Sequence, residues 1–438
     1  MIRAGLSAGW IKIATPFFFA AALNAQQIAG RWQGTVDPGQ KLHVIVELAQ
    51  ATDGGMTAKV FSIDQSPSPF ATTKATFADK VLKFTVDEIH ASYEGTLSAD
   101  GGRFDGAMTQ GGRRLPLVLD RQTPATAWKT DPSPHTVQMI AVDKDVTLEV
   151  LDWGGTGRPL VLLTGLGNDA HVFDTFAPKL SANYHVYGIT RRGFGDSSKP
   201  APDGTNYSAS RLGDDVLVVV EALHLNKPVL AGHSVAGEEL SYIGNKHPDK
   251  VSGLIYLDAG YPYALYDEVN GGFMFDAAEL RRQLGTMIPG GTPPVDQKKA
   301  LDDLLAALKQ VQKEAESMRQ SAEDMPAPAP GPRPSPPPPV VGIMSGVQRF
   351  TTISVPALVI FASPHDLGNA MKDNPKARAA MEANDKRSVE GQATAFERQV
   401  PSAHVVRIPN ANHYVFRSNE ADVLREMNTF IATLPAAN

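Results

Sequence analysis

The chain has 438 residues, which is long for a single hydrophobic core, so two folded units are the starting expectation. With 42% hydrophobic and 20% charged residues it reads as a globular protein, and a formal net charge of -6 offers no basic face for nucleic acid. There are no cysteines, which excludes disulfides, a thiol nucleophile and thiolate metal sites.

The first residues differ in kind from the rest. Arg3 and Lys12 precede the apolar run Ile13 to Leu23, and small residues follow up to Ala25. That order is the one a secretory signal peptide has, with cleavage after Ala25 or Ala22, and it predicts a secreted or periplasmic protein. An N-terminal membrane anchor is the alternative, but the run is short for a bilayer.

From Ile28 to about Arg121 the chain reads as short β-strands. Lys41 to Leu48 alternates polar and apolar positions, and turn signals recur at Asp53-Gly54-Gly55 and Asp100-Gly101-Gly102. An aromatic-x-Gly unit occurs at Trp32-Gln33-Gly34, Tyr93-Glu94-Gly95 and Phe104-Asp105-Gly106. A small antiparallel barrel or sandwich over residues 26–121 is expected, with the aromatics in its core and Gly allowing strands to approach closely. A ligand-binding face, or a surface that docks on the rest of the chain, is the alternative role for this unit. Residues 122–135 read as a linker rich in Pro, Thr and Ser.

Beyond the linker, strands alternate with helical segments, the pattern of an α/β sheet. Val146 to Trp153 alternates as a strand, and the apolar Leu160-Val161-Leu162-Leu163 reads as a strand buried on both faces. His185 to Ile189, Val229 to Ala231, Gly253 to Leu257, Ala357 to Phe361 and His404 to Ile408 continue the series, and Leu212 to His224 has helical period. Residues 261–350 interrupt the alternation. They hold a predicted helix from Val295 to Met325 and a Pro-rich tract over 326–339, expected to be polyproline II or a solvated loop.

The chemistry concentrates at Gly232-His233-Ser234-Val235-Ala236-Gly237, directly after a buried strand and before a predicted helix. A Ser on a sharp strand-to-helix turn is exposed and strained, and small residues two before and two after it let the backbones pass. Ala236 stands where Gly is common, a small departure. An N-capping Ser on an ordinary turn is the bland alternative. A hydroxyl needs a base, and His413, in the loop after the last predicted strand, is the best placed of eleven histidines. His233 is read as structural. The imidazole in turn needs a carboxylate. Asp366, after Ala357–Phe361, fits the chain order Ser, Asp, His, and Asp258 is the alternative acid. Oxyanion donors are expected from the backbone N–H groups of Val235 and Leu166.

On these motifs, together with Arg192-Gly193-Phe194-Gly195-Asp196-Ser197, residues from about 137 to 434 resemble the α/β-hydrolase superfamily. The resemblance implies an eight-stranded, mostly parallel sheet with a cap inserted at 261–350. Thr164 departs from the His that many members carry before the oxyanion Gly, and an extra helix is expected around Met371 to Arg398. The N-terminal unit resembles, more weakly, small β-domains on some exported bacterial hydrolases. The expected reaction is cleavage of a small carboxylic ester through an acyl-enzyme on Ser234, with no cofactor and no metal. Amide, peptide or lactone hydrolysis is the near alternative. Two others belong to different classes. One is an NADP-dependent oxidoreductase, with Gly165-Leu166-Gly167 on the pyrophosphate and Arg191 and Arg192 on a 2′-phosphate. The other is an inactive hydrolase scaffold that binds an apolar ligand.

Overall fold

A computed structural model describes residues 27–38, 41–51, 55–65, 67–131, 133–203, 205–288, 294–323 and 336–435. The expected signal segment lies outside these residues. Among them no helix is long and apolar enough to cross a membrane. The chain forms two compact units, one from residues up to 63 with 67–130, the other from 64–66 with 131–438.

The first unit is a ten-stranded antiparallel sheet. Gly30–Val36 pairs on one side with Leu42–Gln50 and on the other with Leu119–Arg121, which also pairs with Arg103–Gln110, so the sheet closes on itself as a barrel. Closure removes the open edges that a sandwich would have to protect. Alternation decides what fills it: Ala91–Leu97 alternates buried and exposed along its whole length. Trp32, Tyr93 and Phe104 are all buried, and the Trp32 and Phe104 rings lie 4.5 Å apart. The repeated glycines answer to the same packing. A Cβ on Gly106 would lie 2.5 Å from the Tyr93 hydroxyl and 2.6 Å from the Glu94 carbonyl oxygen. The aromatic-x-Gly units therefore serve the core.

The second unit holds an eight-stranded sheet. In spatial order its strands are Thr136–Asp143, Val146–Gly154, His185–Ile189, Pro159–Leu163, Val229–His233, Gly253–Leu257, Ala357–Ala362 and Ala403–Ile408. The first two strands enter antiparallel and every later pairing is parallel. Apolar clusters cover both faces, which is why Val229–His233, Gly253–Leu257 and Ala357–Ala362 are buried at every position. The insertion between Gly253–Leu257 and Ala357–Ala362 carries helices Phe273–Met287, Gln297–Glu323 and Pro338–Gly346. The Pro-rich tract needs one correction. Its central part lies outside the described residues, but Pro338 and Pro339 open a helix, where Pro gives up no intrahelical N–H and its fixed φ suits the first turn. The expected extra helix runs from Pro375 to Gln399.

Candidate active site

Ser234 follows the buried strand Val229–His233 and precedes the helix Gly237–Lys246. Its φ is +53°, a left-handed conformation that an L-residue holds only when its surroundings impose it. The imposition is visible in the packing: a Cβ on Gly232 would sit 2.9 Å from the Ala236 Cβ. Ala at 236 is therefore small enough only because 232 is Gly.

His413 lies in the loop after Ala403–Ile408. Its Nε2 is 2.9 Å from the Ser234 Oγ, and its Nδ1 is 2.7 Å from an Oδ2 that belongs to Asp258. Asp258 follows the strand Gly253–Leu257, is fully buried, and also has a positive φ, +47°. Its other oxygen accepts the N–H of Ala362 at 3.0 Å, and its own N–H donates to the Ile360 carbonyl at 2.8 Å. Burial by itself pushes a carboxyl up. Here the hydrogen bonds from His365 and His413 outweigh it and hold Asp258 well below the usual carboxylate range.

The expectation that Asp366 faces His413 is corrected by this geometry. Asp366 is exposed, and its Oδ1 accepts the N–H of Gly368 at 2.8 Å. The reason lies in the chain just after Ala357–Ala362, where neighbouring side chains point to opposite sides. His365 turns inward to Asp258, so Asp366 must turn out. The Asp366 backbone still helps align the loops, since its N–H donates to the Ala411 carbonyl at 2.8 Å.

His233 stays behind the site. Its Nε2 meets the His413 carbonyl oxygen at 2.9 Å, so that nitrogen carries the proton and donates. Burial first, then the nearby His413, pushes this imidazole down to about 3, and it stays neutral. It anchors the backbone of the His413 loop.

The loop expected to supply an oxyanion donor lies against the serine. A Cβ on Gly165 would be 3.3 Å from the Ser234 Cβ, and Leu166 packs against the apolar cluster that includes Val235. Arg191 fixes this loop from beneath: Nη2 donates to the Thr164 carbonyl at 2.8 Å, while Nε and Nη2 bind the buried Glu239 at 2.5 and 2.8 Å. Arg192 is fully buried, and its fork binds Asp215 at 2.6 Å through each of two nitrogens. Both arginines are thus committed to internal carboxylates. That removes the 2′-phosphate contacts that the dinucleotide alternative required.

Val235, next to the serine, belongs to a buried apolar cluster. Tyr207, Leu212, Val235 and Ile343 form one cluster, with Leu166, Phe194 and Tyr263 packed on it, and Ile343 comes from the inserted helix Pro338–Gly346. Burial raises the proton affinity of the Tyr263 phenol, and the nearby Ser234 side chain partly offsets it. Neither tyrosine carried a sequence signal: Tyr207 lies in the loop before the helix Ala209–Ala222 and Tyr263 in the irregular insertion, and aromatic residues there carry no period. His365, next to Asp366, matches no motif that would mark it in the sequence.

A separate group, Asp131, His135, His171 and Asp174, has ligand atoms within 4.8 Å of one another, donor types that suit a divalent metal ion. It is also complete as an ion-paired cluster. His171 Nδ1 lies 3.0 Å from Asp174 and its Nε2 3.7 Å from Glu149. Burial opposes the charge, but those two carboxylates push the imidazole up to about 10.

Comparison with known proteins agrees with this architecture. Residues 158–419 match the family model described as the alpha/beta hydrolase fold. Among curated proteins, fluoroacetate dehalogenase from Burkholderia sp is 35% identical over 128 residues, 29% of this chain and 42% of that protein. Putative carbamate hydrolase RutD from Caulobacter segnis is 31% identical over 26% of this chain and 42% of its own length. The matched stretches thus span less than half the length of these relatives. Among solved structures, E-2-(acetamidomethylene)succinate hydrolase is 22% identical with a TM-score of 0.40, covering 68% of this chain and 100% of that one. An epoxide hydrolase from Bacillus megaterium is 15% identical with a TM-score of 0.42, again over 68% and 100%.

Proposed function

Since the chain belongs to the α/β-hydrolase family, we propose that it is a serine hydrolase that cleaves carboxylic esters through an acyl-enzyme on Ser234. One observation carries this reading: the unbroken contact from Ser234 Oγ to His413 Nε2 at 2.9 Å and from His413 Nδ1 to Asp258 at 2.7 Å. As the Ser234 oxygen attacks the ester carbonyl, His413 takes its proton, and Asp258 stabilises the imidazolium that forms. The negative charge on the tetrahedral oxygen meets the N–H groups of Val235 and Leu166. His413 then hands the proton to the departing alcohol as the C–O bond breaks. Water, losing a proton to His413, attacks the acyl carbonyl and frees Ser234.

The same steps serve amides and lactones, so substrate class is decided by trial. A panel of p-nitrophenyl esters of rising chain length, matched anilides and lactones should show ester turnover that peaks at short or medium chains. A fluorophosphonate should label the unaltered protein at Ser234, and Ser234→Ala should remove both labelling and turnover, a loss of about 10⁶-fold, while the melting temperature holds. Failure of the unaltered protein to be labelled would point instead to a hydrolase scaffold used for binding.

A further inference from the structure

We propose that His365, clamped between Asp258 and Asp385, is a positioning residue whose positive charge limits how strongly Asp258 holds a protonated His413, and so extends Ser234 activation to lower pH. The proposal rests on the serine-hydrolase reading above and concerns that same site.

Asp258 Oδ2 serves three donors. His413 Nδ1 lies at 2.7 Å, His365 Nε2 at 2.8 Å and the Tyr261 hydroxyl at 3.1 Å. The far side of His365 is also met by a carboxylate, with Nδ1 2.9 Å from Asp385 Oδ1, and its backbone N–H reaches Asp385 Oδ2 at 3.1 Å. Asp385 is carried by the helix Pro375–Gln399, so the extra helix delivers the second carboxylate. Five side chains stand in line: Ser234, His413, Asp258, His365 and Asp385.

A neutral imidazole has one N–H. Placed between two carboxylates it would turn a nitrogen lone pair against an oxygen at one end, whereas an imidazolium donates at both. Burial disfavours the charge on His365. Asp258 and then Asp385 outweigh that and raise its proton affinity. The groups facing it are Asp258 and Tyr261 from beyond the strand Gly253–Leu257, Asp385 from the helix, and the His413 ring, 6.3 Å away between centroids.

The consequence is electrostatic. Asp258 is asked to stabilise two imidazolium ions, one standing and one formed when His413 accepts a proton. Like charges at this separation repel, so the resident cation disfavours the second. Activation of Ser234 then extends to lower pH than Asp258 alone would allow.

His365→Gln keeps an amide donor for Asp258 and removes the charge. In the full-length protein, the rate of fluorophosphonate labelling should fall at acid pH, its acid limb moving up by about one pH unit, while the plateau at alkaline pH holds or rises, since the same repulsion opposes the imidazolium that forms as Ser234 reacts. Nitrogen-15 NMR of the histidine rings should show both His365 nitrogens still protonated at pH values where a free imidazole has lost its proton. An acid limb that does not move, a loss equal at every pH, or a His365 ring with one bare nitrogen would each overturn the proposal. The hydrolase reading fails separately, if the unaltered protein is not labelled at Ser234. The NMR titrations need no turnover and still decide what His365 does.

Discussion

Asp258 and Asp366 show how much the direction of a single side chain matters. Both end or closely follow a buried parallel strand, and both precede His413 in the chain. Only Asp258 is buried against the imidazole, at 2.7 Å, whereas Asp366 caps its own turn at the surface. Asp258→Asn should lower kcat/KM for an activated ester by about 10³–10⁴-fold, because the amide cannot hold the required tautomer. Asp366→Asn should change it by about twofold at most, as an exposed substitution does. Steady-state kinetics of the two variants side by side checks the assignment. A larger loss at 366 would reverse it.

The helix Gly237–Lys246 carries two adjacent buried carboxylates with opposite fates. Glu239 is ion-paired with Arg191, while Glu238 is pushed well above the usual range by burial first and by Glu239 second. The folded protein therefore keeps a proton on Glu238 where the unfolded chain has lost it. That arrangement is most favourable below the unfolded carboxyl's pKa, and stability declines as pH rises toward the folded value. Glu238→Gln, neutral at every pH, should raise the melting temperature by a few degrees at pH 8 and by little at pH 4. Thermal melts across that range check the sign. Removing Glu239 instead would strand the Arg191 charge under the Thr164–Gly165 loop, which is why the two positions are not interchangeable.

At the scale of the whole molecule, each unit has its own core. Trp32, Phe84, Tyr93 and Phe104 belong to the barrel cluster, and the hydrolase sheet is covered by two others. Residues 27–130 expressed alone should therefore unfold in one cooperative transition. Gly106→Ala should cost that fragment about 1–3 kcal/mol, since the new Cβ meets the Tyr93 hydroxyl and backbone at the barrel wall. Chemical denaturation of the fragment measures it, and in the full-length protein the same change should leave Ser234 labelling intact.

The strands, the turn at Ser234 and the His413 loop were legible in the chain because each is a local pattern: alternation, an apolar run, small residues around a Ser. The choice between Asp258 and Asp366 was not. It depends on which side of the loop after Ala357–Ala362 each side chain faces, and on which strand lies beside Val229–His233 in space. The pairing of Asp385 with His365, 20 residues away on a helix, is equally non-local. Sequence determined the residue types that can do the chemistry and the strands that carry them. The packing of one strand against the next decided which of those residues meet, because hydrogen bonds act over about 3 Å, a distance that only the folded sheet sets.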